Sequence, residues 1–352
     1  MPLPGLGVAP AAGSIYNELS AVTRRAFVPK LFVQLYFASP ALFYMMGNAQ
    51  RAAGGLNQVT IPAQGSSMVQ GQWTGYGGGF NSPVITPGIQ NMQFNLAYWV
   101  VPVPLPFGES IIQSTEAVIP ILKARMNDVY AVTRQNMAGL LFTDTSSNAL
   151  QPLSLRNAFD DGTNFPTYGG ITRTAAGNTS FKGQYISLQN ASGFSFGTTG
   201  FTRARMASLL AYASVASGGE SVDYVVMNPG DFATLNNDFI GVEQTFVNPG
   251  NEYDMATAVR SSFPNLNVSG VPIFADPFVP IGNVFGVNNK YTAMYMSEDA
   301  ALDFSGFYSL VPLGQIGQQG VVVLGYQVVS AKPKSGFWAY GLLGSQFSVS
   351  VS

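Results

Sequence analysis

Between Glu109 and Phe142, apolar or semi-apolar residues recur at Ile111, Thr115, Val118, Leu122, Met126, Val129, Thr133, Met137 and Leu140. The steps alternate between three and four, which draws one stripe along an α-helix. Glu116, Lys123, Arg125, Asp128 and Arg134 mostly fall off that stripe. Pro120 cannot donate a backbone hydrogen bond, so it either kinks this helix or marks its true first turn. A second helix is predicted from Thr202 to Ala216, with Met206, Leu209, Leu210, Ala213 and Val215 inward. Asn228-Pro229 opens a short helix through Asp231 to Asn237, with proline at the start where helix geometry prefers it. Short strands are predicted at Asp223 to Met227 (DYVVM) and Val271 to Ala275 (VPIFA). From Tyr291 onward strands dominate, notably Val321 to Val329 and Phe337 to Leu343.

The first half of the chain is less regular. Ser14 to Met46 carries a fair helical stripe at Tyr16, Leu19, Val22, Phe27 and Leu31, interrupted by Pro29, and predicts an extended arm with helical pieces. Two β-rich stretches follow, Gln58 to Ile61 and Met92 to Val103, separated by GQWTGYGGGFNSPVITPG. That intervening run is crowded with turn formers, so a long β-hairpin with a Gly-rich tip is expected. Thr143 to Gln184 is loop-rich, with turn signals at Asp160-Asp161-Gly162 and Tyr168-Gly169-Gly170-Ile171. The order is arm, hairpin, long helix, mixed elements and terminal strands, which is an α+β pattern.

Charge changes this picture. The chain has 352 residues but only 16 Lys+Arg and 18 Asp+Glu, 10% in all. Ordinary soluble domains carry about 25%. A free monomer normally stays soluble behind a mixed charged surface, so much of this one is expected to be covered by copies of itself or by a partner. Ala52 to Gly108 contains no Asp, Glu, Lys or Arg, and neither do Ser305 to Ala331 or Ser335 to Ser352. Solvated loops attract charge, so a hairpin laid on a neighbouring subunit would explain both its length and its neutrality.

Zero His and zero Cys remove Ser-His-Asp and Cys-His catalysis, thiolate nucleophiles, disulfides and His or Cys metal sites. No cofactor is expected. GYGGGF at Gly75 to Phe80 is a poor match to a phosphate-binding glycine loop, because Phe80 stands at the last glycine position and no helix follows. Asp160-Asp161-Gly162 lacks the alternating ligands of a calcium loop and reads as a turn. Asn178, Asn190 and Asn267 begin chance N-x-[ST] sequons. A carboxylate-pair hydrolase is left open by composition, since two acids suffice for glycoside cleavage, but the acids are scattered among turns. The net charge of −2 gives no global attraction to nucleic acid. Local basic pairs stand at Arg24-Arg25, Arg203 with Arg205, and Lys332 with Lys334; they suit intersubunit ion pairs or phosphate neutralisation. Residues 1–14 lack the features of a signal peptide, and Leu31 to Met46 is interrupted and shorter than the ~20 residues of a membrane span. The expected compartment is intracellular, with no membrane partner.

The order of elements, with Leu155 to Gln184 (LRNAFDDGTNFPTYGGITRTAAGNTSFKGQ), resembles the major capsid proteins of tailed bacteriophages, the Hong Kong 97-type fold. The family's Tyr/Phe-Gly-Gly-Ile-x-Arg motif stands here as Tyr168-Gly169-Gly170-Ile171-Thr172-Arg173, followed by Phe181-Lys182 where a Trp-Arg pair is more usual. Asp223 to Pro229, Gly270 to Ile273 with Asp276, and Tyr291 to Tyr295 resemble its later strands. The similarity covers roughly residues 15 to 345, in pattern more than identity.

The resemblance implies an N-terminal arm at 1–51, an extended hairpin (E-loop) at 52–108, and a peripheral domain with a spine helix at 109–195. An axial domain would occupy 196–290, and strands of 291–352 would complete both domains. It implies a virion protein, not an enzyme, assembled in the host cytoplasm into pentamers and hexamers of an icosahedral shell around double-stranded DNA. Scaffolding, portal and decoration or cement proteins would be its other partners. Some members cross-link through a lysine in the E-loop; with none here, this shell would rely on noncovalent contacts or a cementing protein. Any scaffold-like extension before the arm would be missing or already removed. Trp73, Tyr76, Phe80 and Trp99 are the candidate intersubunit contacts, because aromatics are enriched in interface cores. Arg24, Arg25, Arg203 and Arg205 are the candidate charge contacts. An encapsulin-like compartment shares the fold and is the nearest alternative; the hydrolase is the alternative from a different class.

Overall fold

The computed structural model describes residues 39–52, 57–66, 73–76, 78, 88–106, 121–145, 148–188, 202–239, 265–310 and 317–341. The predicted arm before residue 39, the hairpin tip at 79–87 and the segment 107–120 lie outside them. The chain forms two compact units.

The larger unit is built on a mixed six-stranded sheet. Its strands are β7 (Tyr185–Ser187), β8 (Tyr224–Met227), β9 (Asn265–Val268), β10 (Val271–Ala275), β11 (Asn283–Val287) and β14 (Phe337–Tyr340), in the order β7-β14-β11-β8-β10-β9. β8 runs parallel to β10 and antiparallel to β11, and all four of its residues are buried. This is why Tyr224 to Met227 (YVVM) is a continuous apolar run: both faces of the strand are covered. On one face, Val225, Met227, Ile273, Val284, Phe337 and Ala339 pack with Met206, Leu209, Leu210 and Ala213 of helix α4 (Arg203–Ala216) and Leu235 of α5 (Pro229–Phe239). Val215 was expected inward but is 80% exposed, because it falls on the helix face opposite Met206, Leu209, Leu210 and Ala213. On the opposite face, Tyr44 of α1 (Pro40–Gly47) packs its ring against Tyr224 and Phe274, and Phe142 packs against Phe285.

The helix ends follow from capping chemistry. Thr202 accepts a hydrogen bond from the Arg205 backbone N–H at the start of α4. Asn228 does the same for Gly230 at 3.0 Å, with Pro229 at the first position of α5. The short α3 (Leu155–Phe159) has a reciprocal capping box between Ser154 and Asn157.

The same unit carries the hairpin. β2 (Gln58–Gln64) pairs antiparallel with β3 (Ile89–Asn95), from Gln58↔Asn95 to Gln64↔Ile89. Val59, Met92 and Phe94 are buried beneath it. The β-rich stretch Met92 to Val103 is divided between two strands. It breaks at Leu96, whose N–H bonds to the Asn57 carbonyl at 3.0 Å, and β4 (Ala97–Pro106) then joins a different sheet. That four-stranded sheet has the order β1 (Gln50–Ala52), β12 (Thr292–Ser309), β13 (Gly317–Ser330), β4.

The smaller unit contains Trp99–Gln135 and Leu302–Leu324. Helix α2 is described over Ile121–Leu140; Pro120, and with it the choice between a kink and a first turn, lies outside the described residues. Val129 of α2 is buried with Val103 and Val322, and Val101, Met126 and Phe304 pack around them. Thr133, read as part of the apolar stripe, is also buried, and its hydroxyl donates to the Val129 carbonyl at 2.8 Å.

Candidate assembly surface

The outward face of the β2–β3 hairpin shows Gln58, Thr60, Pro62 and Gln64 on one strand and Ile89, Asn91, Gln93 and Asn95 on the other, all exposed and mostly amides and hydroxyls. Amides and hydroxyls offer both donors and acceptors without charge, so burying this face against protein carries no ionic desolvation cost. Beyond β2, Trp73 and Tyr76 are 104% and 112% exposed, beside a turn closed by the Gly78 N–H and the Gly75 carbonyl at 2.9 Å. Rings this far into water contribute no apolar burial to the subunit's own fold. Phe80 lies outside the described residues. Trp99 is half-buried on β4, and its Nε1 has no hydrogen-bond partner among the described residues. Its neighbours Tyr98 and Val100 are 48% and 54% exposed. Sequence reasoning missed that pair; their period-two spacing around Trp99 was the available signal.

Of the basic candidates, Arg24 and Arg25 lie outside the described residues. Arg203 is exposed and Arg205 half-buried, both in the first turn of α4. Cations are unfavourable at a helix N-terminus. Asp238 offsets this locally, its carboxylate accepting the Arg203 backbone N–H at 2.7 Å. Lys332 and Lys290 approach Glu220 at 3.9 and 3.4 Å, and Tyr291 donates its hydroxyl to the same carboxylate. That hydroxyl, followed by the Lys290 hydrogen bond, holds the Glu220 carboxyl below its ordinary value.

Two buried polar centres secure the scaffold behind these surfaces. Arg173 is fully buried, and its guanidinium donates to the carbonyls of Asp160, Asn157 and Ala158 at 2.6, 2.8 and 3.0 Å. These are the carbonyls at the C-terminal end of α3 that no helical turn can satisfy. The guanidinium also lies 4.5 Å from the ring centre of Tyr168, whose hydroxyl accepts the Ser330 N–H at 2.8 Å. Burial pushes the Tyr168 phenol up to about 12, against the opposing pull of Ser330 and Arg173. Burial likewise lowers the Arg173 guanidinium, while Tyr168, Asp160 and Asp161 hold it up. The glycines between these residues are structural. Gly169 and Gly170 both have positive φ (+57° and +80°), as the two-residue turn joining β5 (Thr167–Tyr168) to β6 (Ile171–Thr172) requires.

The second centre is Asp276. One carboxylate oxygen accepts from Ser39 Oγ and from the Ala41 N–H at 3.3 Å, and the other accepts the Phe278 N–H at 3.0 Å. Ser39 also accepts the Leu42 N–H, so one serine caps α1 and ties its N-terminus to the sheet. Burial raises the Asp276 carboxyl to about 6, and the three hydrogen bonds oppose that rise.

Among the described residues no three His, Cys, Asp or Glu side chains come together as metal ligands would, and no helix is long and apolar enough to cross a membrane.

This sheet topology with its hairpin and long helix is the Hong Kong 97-like capsid fold, of α+β class. No protein-family model matches the sequence, and no curated protein matches it at a significant level. Solved structures do match. The capsid asymmetric unit of cyanophage A-1(L) superposes with a TM-score of 0.65 at 14% identity, over 90% of this chain and 97% of that one. The capsid of a native GTA particle gives 0.56 at 10% identity, over 97% and 100%. The SrpI encapsulin complex of Synechococcus elongatus PCC 7942 gives 0.53 at 10% identity, over 94% and 96%.

Proposed function

We propose that this chain is a phage major capsid protein, a structural, non-enzymatic subunit that assembles into an icosahedral shell around double-stranded DNA. The observation that carries this reading is the end-to-end correspondence with the cyanophage capsid chain, 90% of one and 97% of the other. A fold shared over whole chains leaves no room for an added catalytic domain in the matched length. The neutral hairpin with its exposed Trp73 and Tyr76 supports the same reading, because a lone subunit gains nothing from holding them in water.

On this reading residues 1–51 are the arm and 52–108 the extended hairpin. Residues 109–195 carry the peripheral domain and its spine helix, 196–290 the axial domain, and 291–352 complete both. Subunits join head to tail into pentamers and hexamers, a heterologous contact that closes into rings. Trp73, Tyr76, Phe80 and Trp99 bury against a neighbour; Arg24, Arg25, Arg203 and Arg205 meet acidic partners or packaged DNA. Scaffolding, portal and cement proteins complete the particle, which is a virion component made in the host cytoplasm.

The likeness to the Synechococcus encapsulin supports a second reading, a cellular compartment shell. Adjacent terminase and portal genes indicate the phage; an adjacent cargo-enzyme gene indicates the compartment. Deleting Gly71 to Pro87 tests the hairpin's part. The expected product is a folded subunit, with unchanged circular dichroism, that forms no stable shells; normal particles would contradict the assignment.

A further inference from the structure

Strand β4 carries proline at 102, 104 and 106. Within an extended strand, the N–H and C=O of one residue point to one side and those of the next to the other. Three prolines at period two therefore remove every N–H from one side of the strand across five residues. In the four-stranded sheet β4 is the last strand, with β13 as its neighbour among the described residues. Proline cannot donate to a ladder, so the backbone nitrogens of Pro102 and Pro104 lie on the side away from β13, where no further strand pairs among the described residues. The Pro104 carbonyl bears this out: it accepts Arg125 Nη1 of α2 at 2.8 Å, a side chain and not a strand.

The rest of β4 is the kind of edge that recruits other strands. Ala97 to Val101 (AYWVV) is uncharged and rich in β-formers, and Tyr98 and Val100 stand exposed. Natural edges of this type are protected by charge, bulges or proline. With no charge between Ala52 and Gly108, proline is the one of these chemistries that the local sequence supplies as a repeated pattern.

We propose that Pro102, Pro104 and Pro106 close the outer edge of β4 to strand addition by a second copy of this chain. Contacts across this edge are then limited to side chains, and subunits do not link strand to strand at the concentrations reached during synthesis. The inference holds whether the finished assembly is a capsid or a compartment.

The test is a full-length Pro102→Val/Pro104→Val double variant, which restores two edge N–H groups and raises β-propensity. Soluble fraction, thioflavin-T fluorescence and thermal midpoint are measured beside the parent. The expected result is loss of most soluble protein into thioflavin-positive material, with the remaining soluble subunit melting no lower than the parent. Adding Val100→Lys, a charge on the same edge, is expected to restore solubility. The proposal is overturned if the double variant stays as soluble and thioflavin-negative as the parent. It is equally overturned if the variant precipitates with a lowered midpoint that Val100→Lys does not rescue, since misfolding would then be the cause.

Discussion

Arg173 shows how a recognisable motif can hide its own role. The Tyr168-to-Arg173 run stands out in the sequence for its glycine pair and its resemblance to a capsid motif, but nothing local says that its arginine will be fully buried. The carbonyls that hold it belong to α3, some 13 to 16 residues earlier, and meet it only once the chain has turned back. Removing it strands the buried Asn157 and Ala158 carbonyls, each costing about 1–3 kcal/mol when left unpaired, while the Asp160 carbonyl keeps the Gly183 N–H at 2.8 Å. Arg173→Met is therefore expected to lose on the order of 3 kcal/mol or more in urea unfolding, and Arg173→Lys an intermediate amount, since lysine keeps the charge but not the fork. Asp276 gives a pH signature. Its folded-state carboxyl titrates at about 6 against 3.8 for the free group. The folded protein thus holds this proton more tightly, so the contribution is fully present below about pH 4 and lost as pH rises through about 6. The difference between the two plateaus is on the order of 3 kcal/mol. Asp276→Asn is expected to flatten that part of the stability–pH curve; an unchanged slope between pH 4 and 6 would remove Asp276 as its source.

Among the elements, the helices were the most legible. Val129, Thr133 and Met137 lie buried on α2 at the spacing read from the sequence, because an amphipathic helix records its burial in its own period. Strands were harder to delimit. MQFNLAYWVVPV is β-prone throughout, and nothing within it marks the change of partner at Leu96. That change is imposed from far away: the Asn95 carbonyl accepts Gln327 Nε2 at 2.7 Å, across more than 200 residues of chain. The β5–β6 turn allows a paired test. A Cβ on Gly169 would stand 2.8 Å from Met92 Cβ and from Phe94 Cζ, whereas one on Gly170 would meet nothing within 4 Å. Both alanines suffer the left-handed backbone, about 1–2 kcal/mol. Gly169→Ala alone adds overpacking, typically 1–3 kcal/mol more, and displaces β3. Equal destabilisation of the two variants in chemical denaturation would contradict the docking of this turn beneath the hairpin.

For the whole molecule, the shortage of charge has two separate origins. β13 from Leu324 to Ser330 and β14 from Phe337 to Ala339 are buried within the chain's own fold, so their neutrality is ordinary core composition. The hairpin is different: it is as free of charge as those strands, yet its outer face and its Trp73 and Tyr76 are open to water. Composition alone could not separate the two cases, because a buried strand and an exposed one awaiting a partner look alike in sequence. Only the exposed kind points to assembly. The direct test is electron microscopy of the purified, full-length recombinant protein. Assembly through the hairpin predicts closed shells or five- and six-membered rings, with density on the outer face of the β2–β3 hairpin from an adjacent subunit. A protein that remains monomeric across concentration and salt, with Trp73 and Tyr76 still solvent-exposed, would contradict it.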